Sequence, residues 1–424
     1  MSDAGRRPRS VAKVALFAAA LALLSALLLE VALAAAALVF PAVERLLGSP
    51  WVSPTIPDAR LRYRGNPAFP EHDARGFRNP EALAQAQGVA LGDSQTYGTG
   101  VRPEDAWPRR LAALRGEPWY GIGFGGYGPP HSLLLWDEAT ALEPEIVIEA
   151  FYLGNDLFDS FDLVYGHGQL PELRSEDSAM REAIEQAEMA APLADRVNQH
   201  LYMGKDPDAA EVAAAEKSVG AEAVSKVSLA RSVAEHSKIY GLLRRLRFEG
   251  ARRMSAADTS EAESWAAAQA FAAAHSEYCQ VFSDGQFQTV FMSEYRLNAL
   301  DLDDVRIAEG LAIALRAIDR MGERAAARKI RFLVVVIPTK EAVFSDRWAS
   351  PTPAFERLAD HERRAMALVE AHLQERGIEF LDASAALRAS LAAGAQPYPV
   401  SQDGHPNAIG HRAIAEAVAA RLAR

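Results

Sequence analysis

Short apolar runs recur along this 424-residue chain and alternate with stretches of helical character. The strongest run, residues 331–337, is almost continuously apolar, as expected of a strand buried on both faces. Strands that alternate with helices predict a parallel sheet covered by helices on both sides. The predicted strands are residues 88–92, 118–122, 145–151, 331–337 and 378–382, and the predicted helices are residues 104–115, 131–142, 354–376 and 408–423.

A second constraint is the apolar segment of residues 14–40, which only Glu30 and a few small residues interrupt. About 20 apolar residues span a bilayer, so this segment predicts a transmembrane helix. The basic residues within the tail of residues 1–13 predict a cytoplasmic N-terminus and an extracytoplasmic position for the bulk of the chain. A cleaved signal peptide, with a small-residue site in residues 32–37, is the alternative, and the length of the segment favours an uncleaved anchor.

Composition excludes several classes of function. The net charge of −11 disfavours nucleic-acid binding, which requires a basic face. Cys279 is the sole cysteine, so no intrachain disulfide can form, and we interpret it as an ordinary buried or half-buried thiol. The sequence has neither a cysteine pair nor an HExxH motif, and it therefore predicts no metal site and no cofactor.

The order of these segments suggests a domain organisation. Residues 41–76 are rich in Pro, Arg and Gly and are interpreted as a spacer. The domain of alternating strands and helices is predicted in two parts, residues 77–158 and residues 301–424. Residues 159–300 are rich in Ala, Glu, Ser and Arg and predict an inserted helical subdomain, whose role as a lid or acceptor-binding element is a hypothesis.

Four short motifs follow predicted strands or precede the last helix. Ser94 and Asn155 each come after an apolar run, where open α/β sheets place their chemistry. A Gly-rich segment follows the second strand, and an Asp-Gly-His segment precedes the last helix. The four motifs are Gly92-Asp93-Ser94-Gln95-Thr96, Gly121-Ile122-Gly123-Phe124-Gly125-Gly126-Tyr127-Gly128, Phe151-Tyr152-Leu153-Gly154-Asn155-Asp156 and Asp403-Gly404-His405-Pro406-Asn407.

In this order the motifs resemble the sequence blocks of the SGNH (GDSL-type) hydrolase superfamily. Residues 73–80 are also similar to the segment that often precedes the first block, although an ordinary turn explains them equally well. The resemblance covers about residues 76–158 and 300–424. It implies a flavodoxin-like, three-layer α/β/α fold with a parallel sheet, here combined with an N-terminal transmembrane helix and an inserted helical subdomain.

The resemblance also implies roles for individual residues. Ser94 would be the nucleophile and His405 the general base, and later the acid that protonates the leaving alcohol. Asp403 would hold the His405 imidazole in the required tautomer. The oxyanion hole would consist of the backbone N–H groups of Ser94 and Gly126 and the side-chain amide of Asn155.

Two positions depart from the family pattern. The second block usually begins with Asn, and here Gly121 replaces it, which suggests the loss of a structural hydrogen bond. The usual spacing before the histidine is Asp-x-x-His, whereas Asp403 lies two residues before His405 and Gln402 lies three before it. We favour Asp403 as the partner of His405, and Gln402 is the second candidate. If Asp403 points elsewhere, the site would be a Ser–His dyad.

Other polar and aromatic residues near these motifs have plain interpretations. His411 lies inside the last predicted helix and is interpreted as structural. Tyr127 in the Gly-rich segment is interpreted as a packing residue more readily than as a lining residue. Lys340, just after the strongest strand, is interpreted as a solvated charge in preference to a substrate contact.

These residues predict a serine ester hydrolase that acts through a Ser94 acyl-enzyme on carbohydrate or lipid esters outside the cytoplasm. An O-acyltransferase that modifies envelope polysaccharide is the main alternative, because the first half-reaction is identical. A catalytically idle, membrane-tethered binding protein is a third hypothesis. The hydroxyl-rich residues 94–100 also resemble a phosphate-binding loop of a flavin carrier, but that hypothesis leaves Asn155 and His405 unexplained.

Overall fold

A computed structural model of the protein describes residues 8–40, 43, 53–198, 237–239, 242 and 261–423. The chain divides into two compact units. The first consists of Met1–Ser53 and Glu211–Thr259, and the second consists of Pro54–Ala210 and Ser260–Arg424. Much of the predicted helical insertion, including residues 199–236 and 243–260, lies outside the described residues.

The described part of the first unit is dominated by the helix Pro8–Val39. Its segment Lys13–Val39 is the one helix among the described residues that is long and apolar enough to cross a membrane. Glu30 accepts hydrogen bonds from the Ser237 hydroxyl at 2.9 Å and from the backbone N–H groups of Lys238 and Ile239. The helix agrees with the predicted apolar segment, and the predicted cytoplasmic position of the N-terminus stays a prediction.

The second unit contains the strands of the protein. Those in the described residues are β1 (Thr55–Asp58), β2 (Arg62–Gly65), β3 (Gly88–Gly92), β4 (Trp119–Gly123), β5 (Ile146–Tyr152), β6 (Gln280–Ser283), β7 (Gln288–Phe291), β8 (Arg331–Ile337) and β9 (Glu379–Asp382). Five of them form one parallel sheet in the order β4-β3-β5-β8-β9. Counted within this sheet the order is 2-1-3-4-5, which confirms the flavodoxin-like fold.

Both faces of the sheet are buried because the strands are apolar at successive positions. Val334 and Val336 of β8 belong to one hydrophobic cluster, and Leu333 and Val335 belong to the cluster on the other face. The first cluster includes residues of the helices Pro129–Thr140, Val305–Arg328 and Pro353–Glu375. The second includes residues of the helices Trp107–Arg115, Ser384–Ala392 and Ala408–Leu422. The molecule therefore has the predicted three layers.

Two antiparallel hairpins, β1–β2 and β6–β7, lie outside the parallel sheet and were not predicted. The first falls within the predicted spacer, and Leu61 in its turn is almost fully buried. The remaining helices described between residues 159 and 300 are Ser178–Ala190, Leu193–Asn198, Glu261–Ala274 and Ser293–Leu300. Shorter helices and turns are Ser94–Tyr97, Pro103–Asp105, Asp156–Phe161, Asp162–Gly166, Pro171–Leu173, Lys340–Phe344 and Ser345–Arg347.

Candidate active site

The strand order places two of the sequence motifs side by side. The chain passes from β3 to the neighbouring β4 and then returns across β3 to β5, so the direction of connection reverses between β3 and β5. Open α/β sheets bind ligands at such a switch point, outside the carboxyl ends of the strands. Ser94 follows β3 and Asn155 follows β5, and both residues line one cleft at this edge.

The turn between β3 and the next helix directs Ser94 into the cleft. Gly92 has a φ of +146°, and a Cβ there would lie 2.9 Å from the Ala150 carbonyl oxygen, so this position requires glycine. Asp93 caps the helix, because its Oδ1 accepts the backbone N–H of Gln95 at 2.8 Å. Ser94 is therefore the first helical residue, directly after the strand.

His405 and Asp403 approach Ser94 from the loop before the last helix. The His405 Nε2 atom lies 2.9 Å from the Ser94 Oγ, and the His405 Nδ1 atom lies 2.6 Å from the Asp403 Oδ1. The same Asp403 oxygen also accepts the backbone N–H of His405 at 3.0 Å. This local turn explains how the shortened Asp-x-His spacing still brings the carboxylate to the imidazole. Gln402 also lines the cleft.

The charge on Asp403 is stabilised by its neighbour. Burial alone would raise the pKa of the Asp403 carboxyl, but the hydrogen bond and charge of His405 lower it below its ordinary value. Asp403 is therefore a carboxylate at neutral pH, with its charge beside the imidazole. A carboxylate in that position holds the Nδ1–H tautomer and leaves Nε2 free to accept the Ser94 proton.

Lys340 is neither solvated nor in contact with the cleft, contrary to both interpretations of the sequence. Its side chain is fully buried. The ammonium group donates hydrogen bonds to the carbonyl oxygens of Val290 at 2.7 Å, Ser401 at 2.9 Å and Asp403 at 3.0 Å. Burial lowers the pKa of Lys340 to about 8. The lysine thus ties the loop that carries Asp403 and His405 to strand β7.

Gly126 also borders the cleft and has a φ of +74°. A Cβ at this position would collide with the Tyr63 hydroxyl, which donates a hydrogen bond to the Gly125 carbonyl oxygen at 2.7 Å. Glycine is thus required here both by backbone conformation and by the close approach of Tyr63. Ser94, Gly126 and Asn155, the three expected oxyanion donors, all border the same cleft.

Asn155 is held by a buried acidic residue one helical turn later. Its side-chain amide donates a hydrogen bond to the Asp159 carboxylate. A primary amide has two N–H groups, and among the described residues the second has no partner, so it can bind a ligand in the cleft. Burial raises the pKa of Asp159 to about 7, an effect that the hydrogen bond from Asn155 opposes. Asp159 is a residue of the site that the sequence motifs did not single out.

Asn79 compensates for the glycine that begins the second motif. Its side-chain Oδ1 accepts the Gly121 backbone N–H at 2.9 Å, and its Nδ2 donates to the Gly121 carbonyl oxygen, also at 2.9 Å. Asp73, which is buried, accepts the Asn79 amide in turn. The segment of residues 73–80 therefore supports the Gly-rich loop from outside the sheet.

The cleft has a volume of about 490 Å³ and is bordered by residues from both parts of the domain. Several of them were absent from the sequence motifs. Tyr63 comes from the β1–β2 hairpin, and Met292, Tyr295 and Arg296 come from the start of the helix after β7. Sequence reasoning missed them because neither segment carries a recognisable motif.

The remaining candidates are structural. His411 is fully buried, and its Nδ1 accepts the Trp107 backbone N–H at 3.3 Å. Burial lowers the pKa of His411 to about 3. Tyr127 is buried and donates to the Tyr63 carbonyl oxygen at 2.7 Å, as expected of a packing residue. Cys279 is buried, and burial raises the pKa of its thiol to about 11.

One group of side chains has the geometry of metal ligands. Asp301, Asp303 and His361 offer oxygen and nitrogen atoms within 4.8 Å of one another. Arg364 already pairs with Asp303 at 3.1 Å, and the Nδ1 of His361 accepts the backbone N–H of Leu302. None of these three residues borders the cleft, and we interpret them as a local network of ion pairs and hydrogen bonds around the buried His361.

The fold defines a class of protein, the three-layer α/β domains with a 2-1-3-4-5 parallel sheet and a ligand cleft at the switch point. Comparison with protein families then identifies the class more closely. Residues 291–424 match the family model described as SGNH hydrolase-like domain, acetyltransferase AlgX. Over these residues the chain is similar to an SGNH hydrolase-like domain, which supports the resemblance that the sequence motifs carry. The matched residues contain Asp403 and His405 but not Ser94.

The solved structures that are similar to this chain include two proteins of the GDSL type. One is a putative lipolytic protein of the G-D-S-L family from Desulfitobacterium hafniense DCB-2, with 12% identity, a TM-score of 0.30 and coverage of 78% of this chain and 97% of that chain. The other is a GDSL-like lipase from Bacteroides thetaiotaomicron VPI-5482, with 12% identity and a TM-score of 0.30. The similarity covers 79% of this chain and 87% of that chain. A comparison with curated protein sequences found no match.

Proposed function

We propose that this protein is a membrane-anchored serine esterase of the SGNH type. One observation carries the proposal: Ser94 Oγ, His405 Nε2, His405 Nδ1 and Asp403 Oδ1 form a continuous hydrogen-bonded chain with contacts of 2.9 and 2.6 Å. A nucleophile in contact with a base that a third group orients is the arrangement that activates a serine hydroxyl.

The first half-reaction forms an acyl-enzyme. His405 Nε2 accepts the hydroxyl proton as Ser94 Oγ attacks the ester carbonyl carbon. The carbonyl oxygen becomes an oxyanion, which accepts hydrogen bonds from the N–H groups of Ser94 and Gly126 and the amide of Asn155. The carbon–oxygen bond to the alcohol then breaks, and His405 gives its proton to the leaving oxygen.

The second half-reaction releases the acyl group. Water attacks the Ser94 ester and passes a proton to His405, which returns it to the serine oxygen. No step requires a metal or an organic cofactor. The substrates we propose are O-acyl esters of carbohydrate or lipid, which an enzyme anchored by residues 14–40 would meet outside the cytoplasm.

Acyl transfer to a sugar hydroxyl is the second candidate. The description of the matched family as an acetyltransferase favours it, because a hydroxyl can replace water in the same second step. The two reactions differ in one product. With 4-nitrophenyl acetate and a mixture of oligosaccharides, both reactions release 4-nitrophenol. A hydrolase passes the acetyl group only to water and forms acetate, whereas a transferase also forms acetylated sugar that mass spectrometry detects.

The proposal is tested with a fluorophosphonate probe on the full chain in detergent, followed by peptide mass spectrometry. We expect a phosphonyl adduct on Ser94 and none on the Ser94→Ala variant, with circular dichroism of both proteins unchanged. Because the adduct is assigned to a peptide, reaction at any other serine is distinguished from reaction at Ser94. A well-folded wild-type protein without an adduct would instead support the idle, membrane-tethered binding protein.

A further inference from the structure

Arg296 is a cation in the cleft that the reaction above does not use. It lies on the helix Ser293–Leu300, borders the cleft beside Asp403 and His405, and is only 9% exposed. Burying a charged side chain without a partner is costly, so buried arginines are normally paired with carboxylates. The contacts of this side chain therefore decide what it does.

Burial tends to lower the pKa of Arg296, but the neighbouring Tyr152, Tyr295, Glu341 and Asp403 together raise it. The direct contacts of the guanidinium group, however, are weak and neutral. Its Nη1 donates to the Gly154 carbonyl oxygen at 3.5 Å, at the limit of a hydrogen bond. Its Cζ lies 5.5 Å from the centre of the Tyr152 ring and 5.0 Å from that of the Tyr295 ring. Within the part of the chain that the structure describes, Arg296 forms no ion pair with a carboxylate.

The position of the group leaves its other donors available. The two tyrosine rings hold the guanidinium by cation–π contacts, which orient it without occupying its N–H groups. Gly404 allows the close approach of Nη2, since a Cβ at residue 404 would collide with it. Among the described residues, the Nε and Nη2 atoms of Arg296 have no hydrogen-bond partner. Neither atom is fully buried, so both are accessible from the cleft that Arg296 borders.

An oriented guanidinium with free N–H groups is complementary to a carboxylate, which it can bind through two parallel hydrogen bonds. We propose that Arg296 binds a carboxylate of the substrate, so that the enzyme prefers esters that carry a negative charge near the bond that is cleaved. This inference rests on the proposed esterase function and adds a substrate class to it. The carboxylate can lie on the acyl side or on the alcohol side of the ester.

Two matched pairs of esters separate these positions. Mono-4-nitrophenyl glutarate and its neutral glutaramate analogue differ only in a charge on the acyl side. 4-Acetoxybenzoate and 4-acetoxybenzamide differ only in a charge on the alcohol side. For one pair we expect kcat/KM of the full chain in detergent to be about 10- to 100-fold higher for the anion, as for a hydrogen bond between charged groups.

The variant Arg296→Gln should lose that preference, so that its kcat/KM for the anion falls at least about tenfold more than its kcat/KM for the neutral ester of the pair. Arg296→Lys, which keeps the charge but not the planar fork, should retain part of it. Arg363→Gln serves as the matched control, because Arg363 lies on the exposed surface of the helix Pro353–Glu375. Equal loss on the charged and neutral esters in Arg296→Gln would mean a purely structural role and would overturn the proposal.

A binding measurement separates this inference from the esterase proposal. Isothermal titration of the Ser94→Ala protein with 4-acetoxybenzoate and with mono-methyl glutarate does not require an activated serine. We expect one anion to bind at least about tenfold more tightly than its neutral amide, and the added Arg296→Gln change to remove the difference. Equal binding of anions and amides would overturn the carboxylate site even if Ser94 reacts with the phosphonate.

Discussion

The Asp403 carboxylate contacts both the backbone and the ring of His405. Its Oδ1 accepts both the Nδ1–H and the backbone N–H of His405, so it fixes the loop and the tautomer together. The shortened spacing is sufficient because a residue two positions before the histidine can form this local turn. Gln402, which also borders the cleft, has no such contact with the His405 ring in the described structure.

We predict that Asp403→Asn lowers kcat by about 10²- to 10⁴-fold and leaves some activity, because an amide allows the unproductive tautomer while the oxyanion donors remain. The rate of 4-nitrophenyl acetate hydrolysis and the thermal unfolding temperature measure the two effects. Gln402→Ala is the control and should keep nearly full activity. If Gln402→Ala were the more damaging change, Gln402 and not Asp403 would be the partner of the histidine.

Asp159 acts at the same scale, through another residue. It accepts a hydrogen bond from the Asn155 amide and so directs the remaining N–H of that amide. We predict that Asp159→Ala lowers kcat by about tenfold, and Asn155→Ala by about 10²- to 10³-fold as for a lost oxyanion donor.

A double-mutant cycle separates positioning from an independent role of Asp159. If Asp159 acts only through Asn155, the variant with both changes should be no slower than Asn155→Ala alone. Steady-state kinetics of the four proteins on one ester give the coupling directly. Additive losses in the double variant would show that Asp159 contributes separately to the reaction.

At the scale of elements, the loop that carries the acid–base pair is held by a buried lysine. Lys340 lies just beyond strand β8 and reaches the carbonyl oxygens of Ser401, Asp403 and Val290. Three segments from different parts of the chain therefore meet at one ammonium group. A buried charge with several oxygen acceptors is stable only while all of them remain in place.

We predict that Lys340→Met unfolds more easily by about 2 to 4 kcal/mol, because three carbonyl groups lose the buried ammonium group that donates to them. It should also lower kcat more than it changes KM, since the loop with His405 loses its support. Denaturant unfolding and ester kinetics of the full chain in detergent measure both. Lys329→Met, at an exposed lysine, is the control. An unchanged unfolding midpoint in Lys340→Met would contradict this role.

The elements also show where the sequence was informative. Strand β8 was predicted with its observed ends, because an apolar run with no polar interruption has one plausible structure. Ser94 and Asn155 were placed at one edge because parallel strands bring their carboxyl ends together. His405 precedes the last helix, and only the family resemblance implied its role. The β1–β2 and β6–β7 hairpins were missed, because their short strands have mixed burial and no turn signal strong enough to separate them from loops.

The contacts of Arg296 and Lys340 could not be predicted either. Both residues are charged and lie next to helix starts, where a solvated side chain is the usual expectation. Their burial depends on loops that come from residues 152–154 and 401–404, more than 60 positions away in sequence. Local pattern contains no information about such contacts.

On the scale of the whole molecule, the centre of the sheet contains ionisable groups that burial keeps protonated. Glu149 of β5 is fully buried, and burial raises its pKa well above the ordinary value. The folded protein therefore holds a proton that the unfolded chain releases as the pH rises above about 4.5. Stability must fall with rising pH through this group, because the native state binds more protons than the unfolded state.

We predict that Glu149→Gln reduces the loss of stability between pH 5 and pH 8, because an amide has no proton to release. Thermal unfolding of the full chain at both pH values measures the difference for wild type and variant. Glu145→Gln, at an exposed position just before the same strand, should leave the wild-type dependence unchanged. A pH dependence that is identical in Glu149→Gln and wild type would show that Glu149 does not titrate as its burial implies.

The contact between Ser94 and His405 joins residues 311 positions apart. During synthesis, the segment with the serine emerges long before the segment with the histidine, so a growing chain has no activated hydroxyl. In the mechanism we propose, Ser94 therefore stays unreactive until the domain is assembled. The reactivity of Ser94 toward a phosphonate therefore also reports on folding, because it requires contact between the first and last thirds of the chain.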